Sequence, residues 1–169
     1  MTSNRPSIFA ALLLAPLAPL AAQESCTAVF DAMTKVINTP SHVYNNSKPA
    51  GGPARTSETI YAGGAIFTKV RDSWKRSSMT PQQMLKQEEE NRRNSKYSCR
   101  RIQDESVNGE AAAVYSAHAE TEDTKSETRI WISKSKGLPL RQELDIDAGG
   151  AKTHYSVRYE FGNVKAPLP

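Results

Sequence analysis

The sequence contains few of the residue groupings on which enzymes and metal proteins depend. It has no H-E-x-x-H, no G-x-S-x-G and no phosphate-binding loop, and these are the short motifs of zinc proteases, serine hydrolases and nucleotide-binding proteins. Its three histidines, His42, His118 and His154, fall in three different predicted strands, and none lies beside a cysteine. His118-Ala-Glu120 matches half of a zinc-deaminase motif without the Pro-Cys-x-x-Cys that completes it. We therefore predict no catalytic residue, no metal and no cofactor.

Long apolar runs are absent except near the N-terminus. Residues 1–22 carry one positive charge, Arg5, followed by an apolar run over residues 8–20 and the small residues Ala21 and Ala22. This is the pattern of a secretory signal peptide, and the run is too short and too rich in proline for a transmembrane helix. Residues 23–25 are too polar for a lipidation signal before Cys26. We predict cleavage after Ala22 and a single exported domain over residues 23–169, periplasmic or secreted and peripheral to any membrane.

Cysteine is scarce, and the two that occur are Cys26 and Cys99. An even number of cysteines in an exported chain favours a disulfide. A metal pair or a redox pair would also use two cysteines, but the sequence has no C-x-x-C and no cluster of histidines. A bridge that closes a loop of this length is expected to stabilise the fold by about 4 kcal/mol.

The charge of the chain is only mildly biased. Its 22 basic and 18 acidic residues give a net charge of +4. Such a bias is compatible with an anionic lipid or polysaccharide surface and does not require nucleic acid, which an exported protein rarely meets. We predict no nucleic-acid partner.

The strongest structural pattern covers residues 128–161. Apolar and polar residues alternate there in a way that predicts antiparallel strands with one buried face. On the second strand Leu138, Leu140, Leu144 and Ile146 share the predicted buried face, and the third strand repeats the pattern. The apolar residues of the third strand are Tyr155, Val157, Tyr159 and Phe161. Two turns that contain glycine join the three strands, so this meander must be buried against another part of the chain.

The remaining segments predict an α+β domain. Apolar residues at helical spacing indicate a short helix over residues 27–38, and Thr80 and Pro81 indicate the start of a second helix that ends near Asn94. Three short strands separate the helices, and five strands follow the second helix, with a hairpin at Asn108-Gly109. We predict a curved antiparallel sheet, an unclosed half β-barrel of about eight strands with two helices on its concave side. Asn45-Asn-Ser47 also matches a glycosylation triplet, a pattern that often arises by chance.

The densest group of basic residues lies where the second helix meets the next strand. Charge runs of this kind usually form a solvated surface. The alternative is a patch that contacts an anionic head group or docks another protein. The residues of this basic cluster are Arg92, Arg93, Lys96, Arg100 and Arg101.

Two C-terminal segments resemble the periplasmic lipoprotein-carrier (LolA-like) superfamily. They are residues 130–144, IWISKSKGLPLRQEL, and residues 159–167, YEFGNVKAP. The matching positions are Trp131, Gly137, Leu138, Pro139, Leu140, Tyr159, Val164 and Pro167. The resemblance implies an unclosed β-barrel whose concave face, covered by helices, accepts acyl chains or lipidated partners, and it carries over no catalytic residues.

These observations predict an exported, non-enzymatic protein of the cell envelope that holds a lipid, an acyl chain or a lipidated protein. The expected ligand-binding residues are Phe67, Met84, Leu85, Trp131, Leu140, Leu144, Tyr155 and Tyr159. One alternative is a protein-interaction module with a self-filled core that docks an envelope protein through the basic cluster. Another is a small cone-shaped α+β fold of the nuclear-transport-factor-like kind, which would need a convergent acid–base pair in a polar pocket.

Overall fold

The structure is a computed structural model that describes the backbone of residues 18–167 and the side chains of residues 25–167. In chain order the helices and strands are α1 (Ala18–Asn38), β1 (Ser41–Pro49), β2 (Arg55–Ala62), β3 (Ala65–Val70), β4 (Ser73–Arg76), α2 (Pro81–Arg93), β5 (Lys96–Val107), β6 (Glu110–Glu120), β7 (Thr124–Ser133), β8 (Pro139–Ala148) and β9 (Ala151–Phe161). Most of the predicted signal peptide, residues 1–17, lies outside the described residues.

All nine strands belong to one antiparallel sheet. Their order is β4-β3-β2-β1-β9-β8-β7-β6-β5, so that β1 joins the N-terminal strands to the last strand of the chain. β4 and β5 are the two edges and do not pair with each other, which leaves the sheet unclosed. The predicted α+β class with a curved, open sheet is confirmed, with nine strands where about eight are expected from the sequence.

The additional strand, β4, begins at the end of a segment that the sequence predicts as one strand, residues 65–73, and extends beyond it to Arg76. The chain turns at Arg71, whose φ of 56° lies in the left-handed region. β4 therefore folds back on β3, with Val70 opposite Ser73 and Lys69 opposite Trp74. An arginine in this conformation is unusual, which is why residue type alone does not reveal the turn.

Tight turns elsewhere follow the glycine signals. Asn108 and Gly109 have φ values of 52° and 84°, as a two-residue type I′ hairpin requires. At the β8–β9 turn the Gly150 N–H donates to Asp147 Oδ1 at 2.8 Å. Both predicted hairpins are confirmed, and they fix the register of the strands on either side.

α1 lies on the concave face of the sheet. Val29 and Ala32 pack against Ile130 and Ile132 of β7 in a buried cluster. The helix contacts β2 towards one edge of the sheet and β5 at the other edge, so the sheet curls around it. The described part of α1 runs from Ala18, earlier than the predicted start at Thr27, and it includes the predicted cleavage site after Ala22.

α2 begins and ends close to the predicted positions. Thr80 is the N-cap, Pro81 occupies the first helical position, and Gln83 completes a capping box with Thr80. Pro81 is the buried residue of this helix, so α2 is attached to the rest of the molecule by few apolar contacts. It packs on α1.

The predicted disulfide between Cys26 and Cys99 is present, with 5.0 Å between the two Cα atoms. It joins Cys26 of α1 to Cys99 of β5 across 73 residues of sequence. On the same face, Phe30 of α1 meets Tyr97 of β5 edge to face, with 5.1 Å between the ring centroids. The bridge therefore holds α1 against the edge strand of the sheet.

The predicted alternation of β8 is wrong at its first residues. Pro139 is paired with Ile132 and Arg141 with Trp131, so that Leu140 is an extra residue in a bulge. Leu140 packs with Trp131 on the convex face, whereas Leu144 faces the concave side. A bulge changes which residues share a face, and the expected common face for Leu140 and Leu144 is corrected for this reason.

Candidate ligand-binding cavity

A cavity of about 370 Å³ lies between the two helices and the concave face of the sheet. Side chains from both helices and from seven strands surround it, so it occupies the centre of the curved sheet. Its apolar lining consists of Val29, Phe30, Met33, Val36, Ile37, Val43, Tyr61, Met84, Tyr97, Ala117, Ala119, Ile130, Leu144 and Tyr159. The cavity is therefore suited to an apolar chain rather than to a polar metabolite.

Two polar groups on its floor, from Tyr159 and Gln142, are hydrogen-bonded to each other. The buried Tyr159 hydroxyl donates to Gln142 Oε1 at 2.6 Å and lies 3.9 Å from Met33 Sδ. Burial raises the pKa of Tyr159 well above that of an exposed tyrosine. This tyrosine is therefore neutral at physiological pH, and the floor carries no charge from it.

The roof of the cavity is formed by one stripe of α2. Met84, Glu88 and Arg92, spaced one helical turn apart, all line the cavity. At one end the Tyr61 hydroxyl of β2 contacts Met84 Sδ at 3.4 Å. Burial raises the pKa of Tyr61, and the charge of Glu88 raises it further. α2 thus crosses the open side of the sheet with two charged side chains on its inner stripe.

Arg92 is held at the other end of this stripe. Its guanidinium lies over the Phe30 ring, with 4.6 Å from Cζ to the ring centroid. Its Nη2 donates to Thr34 Oγ1 at 3.2 Å. The side chain is only half-buried, and it is positioned where the cavity meets water.

The eight predicted ligand-binding residues lie in different places relative to the cavity, and only some of them line it. Met84, Leu144 and Tyr159 line the cavity. Tyr155 pairs with Leu144 on the same face of the sheet but lies outside the lining, as does the half-buried Leu85 of α2. The remaining three, Phe67, Trp131 and Leu140, lie on the opposite face and do not reach the cavity.

Trp131 has a defined environment on that convex face. It belongs to a buried cluster with Ala112 and Val114, and its indole N–H donates to Glu105 Oε2 at 2.6 Å. This hydrogen bond is the main cause of the lowered pKa of Glu105. Arg129 and Arg141 lie over the indole ring, at 5.0 and 4.8 Å from the ring centroid. Trp131 therefore closes a small convex core and contacts no ligand in the cavity.

The residues that the sequence prediction missed come mainly from α1. Its apolar stripe, predicted only as the packing face of a short helix, supplies a large part of the lining through Val29, Phe30, Met33, Val36 and Ile37. The helical spacing of these residues was the available signal. That spacing cannot distinguish a stripe in contact with the sheet from one that borders a cavity.

The predicted basic cluster does not form one surface. Arg92 faces the cavity, and the adjacent Arg93 forms an ion pair with Glu89 on the exposed side of α2. In β5, Arg100 and Arg101 are consecutive, so their side chains point to opposite faces, and Arg101 is paired with Asp104. Lys96 is exposed at the start of β5.

The histidines do not converge. Each is hydrogen-bonded to a carboxylate on a neighbouring strand. The pairs are His42 with Glu58 at 2.9 Å, His118 with Glu127 at 2.7 Å and His154 with Asp145 at 2.8 Å. Over residues 25–167 no group of three or more His, Cys, Asp or Glu side chains is arranged to hold a metal ion.

The glycosylation triplet lies in a strand and not in a loop. Asn45, the first residue of the glycosylation triplet, lies in the central strand β1, and its Oδ1 is buried without a hydrogen-bond partner. This differs from the exposed loop in which glycosylation occurs.

Neither helix, over the residues that the structure describes, has the length and apolar character needed to span a bilayer.

No family model matches the chain, and a search of curated proteins finds no match. Among solved structures, the chain is similar to MucB in complex with MucA(peri), with a TM-score of 0.48, 13% identity and coverage of 85% of this chain and 57% of that one. It is similar to LprF from Mycobacterium bovis, with a TM-score of 0.42, 9% identity and coverage of 88% and 96%.

The structures that match also include a LolA superfamily protein from Nitrosomonas europaea, as the resemblance in the sequence predicts. This match has a TM-score of 0.31 and 8% identity, and it covers 86% of this chain and 95% of that one. With TM-scores below 0.5 in each case, these likenesses carry no information about ligand or partner. Any proposal for the function of this chain therefore depends on the geometry of its own cavity and side chains.

Proposed function

We propose that this chain is an exported, non-enzymatic binding protein of the cell envelope. It holds an acyl chain, free or attached to a lipidated protein, between α1, α2 and the concave face of the sheet. The observation that carries the proposal is the apolar cavity of about 370 Å³ at the centre of the fold. Unlike a filled core, this space leaves apolar side chains such as Phe30, Met33 and Leu144 available to a ligand.

The size of the cavity limits the ligand. Pockets for small molecules range from about 300 to 1,000 Å³, so this one is at the lower end and suits a single chain rather than a bulky multi-chain lipid. Each methylene group that moves from water into the cavity contributes about 0.8 kcal/mol. A medium-length chain can therefore supply most of the binding free energy.

The weak attachment of α2 supports a route of entry. Its inner stripe contributes Met84 to the lining, whereas much of the rest of the helix is charged and exposed. Displacing α2 therefore exposes little apolar surface of its own. An acyl chain that enters beneath it replaces the contacts that α2 makes with the cavity, and ligand binding selects the open arrangement.

The proposed location in the periplasm or outside the cell has two supports. The predicted signal peptide directs the chain to export. The Cys26–Cys99 disulfide persists in an oxidising compartment.

Mass spectrometry of the native protein tests this function. The chain, exported by the host and purified without detergent, is expected to carry an additional mass that disappears after extraction with organic solvent. The extract is expected to contain species with an acyl chain. A bare polypeptide mass, combined with no binding of added decanoate, would overturn the proposal.

The docking-module alternative receives less support. It needs a self-filled core and a single basic patch, whereas the cavity is open and the five basic side chains point in several directions. The nuclear-transport-factor-like alternative needs a convergent acid–base pair in a polar pocket. His118, the histidine of the described lining, pairs instead with Glu120 and Glu127, which do not line the cavity.

A further inference from the structure

We infer that the ligand of this cavity is a single-chain amphiphile with an anionic head group, a carboxylate or a phosphate, bound by Arg92. The inference rests on the proposed function and adds the chemistry of the head group to it. It depends on the charge that α2 presents to an otherwise apolar space.

Arg92 is distinguished from the other described arginines by its position in the lining of the cavity. It lines the cavity, and within residues 25–167 no carboxylate lies within ion-pair distance of its guanidinium. Arg55, Arg71, Arg76 and Arg100 likewise have no ion pair, but they lie outside the lining of the cavity. The other five described arginines each have an acidic partner. These are Arg93, Arg101, Arg129, Arg141 and Arg158.

The fixed orientation of Arg92 favours recognition of an anion. The Phe30 ring supports one face of the guanidinium, and Thr34 accepts one of its five N–H groups. The remaining donors are free to form the bidentate contact that arginine makes with carboxylates and phosphates. Because the side chain is already held in place, little conformational entropy is lost when the head group binds.

Glu88 does not cancel this charge. It lines the same stripe, but its side chain is exposed, so water and salt screen its effect on a head group beside Arg92. The outer acids of α2 are already engaged, since Glu89 pairs with Arg93 and Glu90 with Lys86. The apolar chain would extend from Arg92 past Phe30 towards Leu144 and Tyr159, which line the deeper part of the cavity.

Affinities for matched amphiphiles test the inference. Calorimetry with decanoate, decyl phosphate and decanol compares the same chain with two anionic heads and a neutral one. We expect the wild-type protein to bind at least one anion about tenfold more tightly than the alcohol, because charge-assisted bidentate hydrogen bonds to arginine are stronger than a hydrogen bond to a neutral hydroxyl. The preferred anion identifies the source of the head group, a fatty acid or a phosphorylated amphiphile.

Two neighbouring variants complete the test. Arg92→Gln should remove the preference for the anion, because it weakens the binding of the anion more than that of decanol. Arg93→Gln, on the exposed side of the same turn, should keep the preference. Equal binding of anion and alcohol by the wild type would overturn the inference while the proposed function stands, and so would a preference that survives in Arg92→Gln. If no amphiphile binds to the wild type, both fail. Thermal melts establish that each variant is folded.

Discussion

Replacement of both Cys26 and Cys99 by serine is expected to lower the free energy of unfolding by about 4 kcal/mol. The bridge closes a loop of 73 residues, which includes β1 to β4 and all of α2. Without it the unfolded chain gains conformational entropy that the native state must overcome. The folded state also loses the covalent link that holds α1 against β5.

Urea unfolding of the oxidised protein and the double-serine variant measures this difference. For a domain of this size the loss corresponds to a fall in melting temperature of about 8–16 °C. Treatment of the wild type with a reducing agent is the control and should give a similar loss, because the sequence contains no other cysteine. A loss below about 1 kcal/mol would show that the loop closure has little effect on the unfolded ensemble.

Replacement of Thr128 by phenylalanine is expected to weaken the binding of decanoate by about five- to 150-fold. Thr128 lies on β7 between Ala117 of β6 and Leu144 of β8, and all three side chains line the cavity. A phenyl ring at this position occupies the space that the acyl chain needs. Overpacking an apolar site costs about 1–3 kcal/mol, which corresponds to the stated loss of affinity.

The neighbouring position provides a matched control. Glu127 is adjacent to Thr128 in β7, so its side chain points to the opposite face, where it is hydrogen-bonded to His118 at 2.7 Å. Glu127→Phe introduces the same ring on the convex side and should leave decanoate affinity unchanged. If both variants bind as tightly as the wild type, the ligand does not occupy the cavity beneath α1 and α2.

Local signals in the sequence were sufficient for most of the fold. Asn108-Gly109 fixes a hairpin because both residues adopt positive φ. Thr80 and Pro81 fix the start of α2 through the cap and the proline ring. The Cys26–Cys99 pairing follows because only one pairing of two cysteines exists. Each of these features depends on the chemistry of neighbouring residues or on simple counting.

Assignment of side chains to the two faces of the sheet was less successful. The period of two assumes an uninterrupted strand, and the bulge at Leu140 breaks that assumption. Trp131 lies between Ile130 and Ile132, so the pattern of β7 is apolar on both faces and does not indicate which face the indole occupies. This explains why two of the three residues wrongly placed in the cavity, Leu140 and Trp131, lie on the convex face.

The role of α2 could not be predicted from its composition. Its charges suggest a solvated surface helix, and most of its side chains are indeed exposed. The stripe of Met84, Glu88 and Arg92 lines the cavity only because α2 crosses the open side of the curved sheet. That position depends on long-range packing against α1 and β2, which a single sequence does not reveal.

Methyl NMR of the methionines tests the central claim most directly. Met33 of α1 and Met84 of α2 both line the cavity, whereas Met79 precedes α2 and lies outside the lining. Titration of the methyl-labelled protein with decanoate should shift the signals of Met33 and Met84 together, with a common dissociation constant, and leave that of Met79 in place. Unchanged Met33 and Met84 signals at a decanoate concentration that saturates binding would contradict the account.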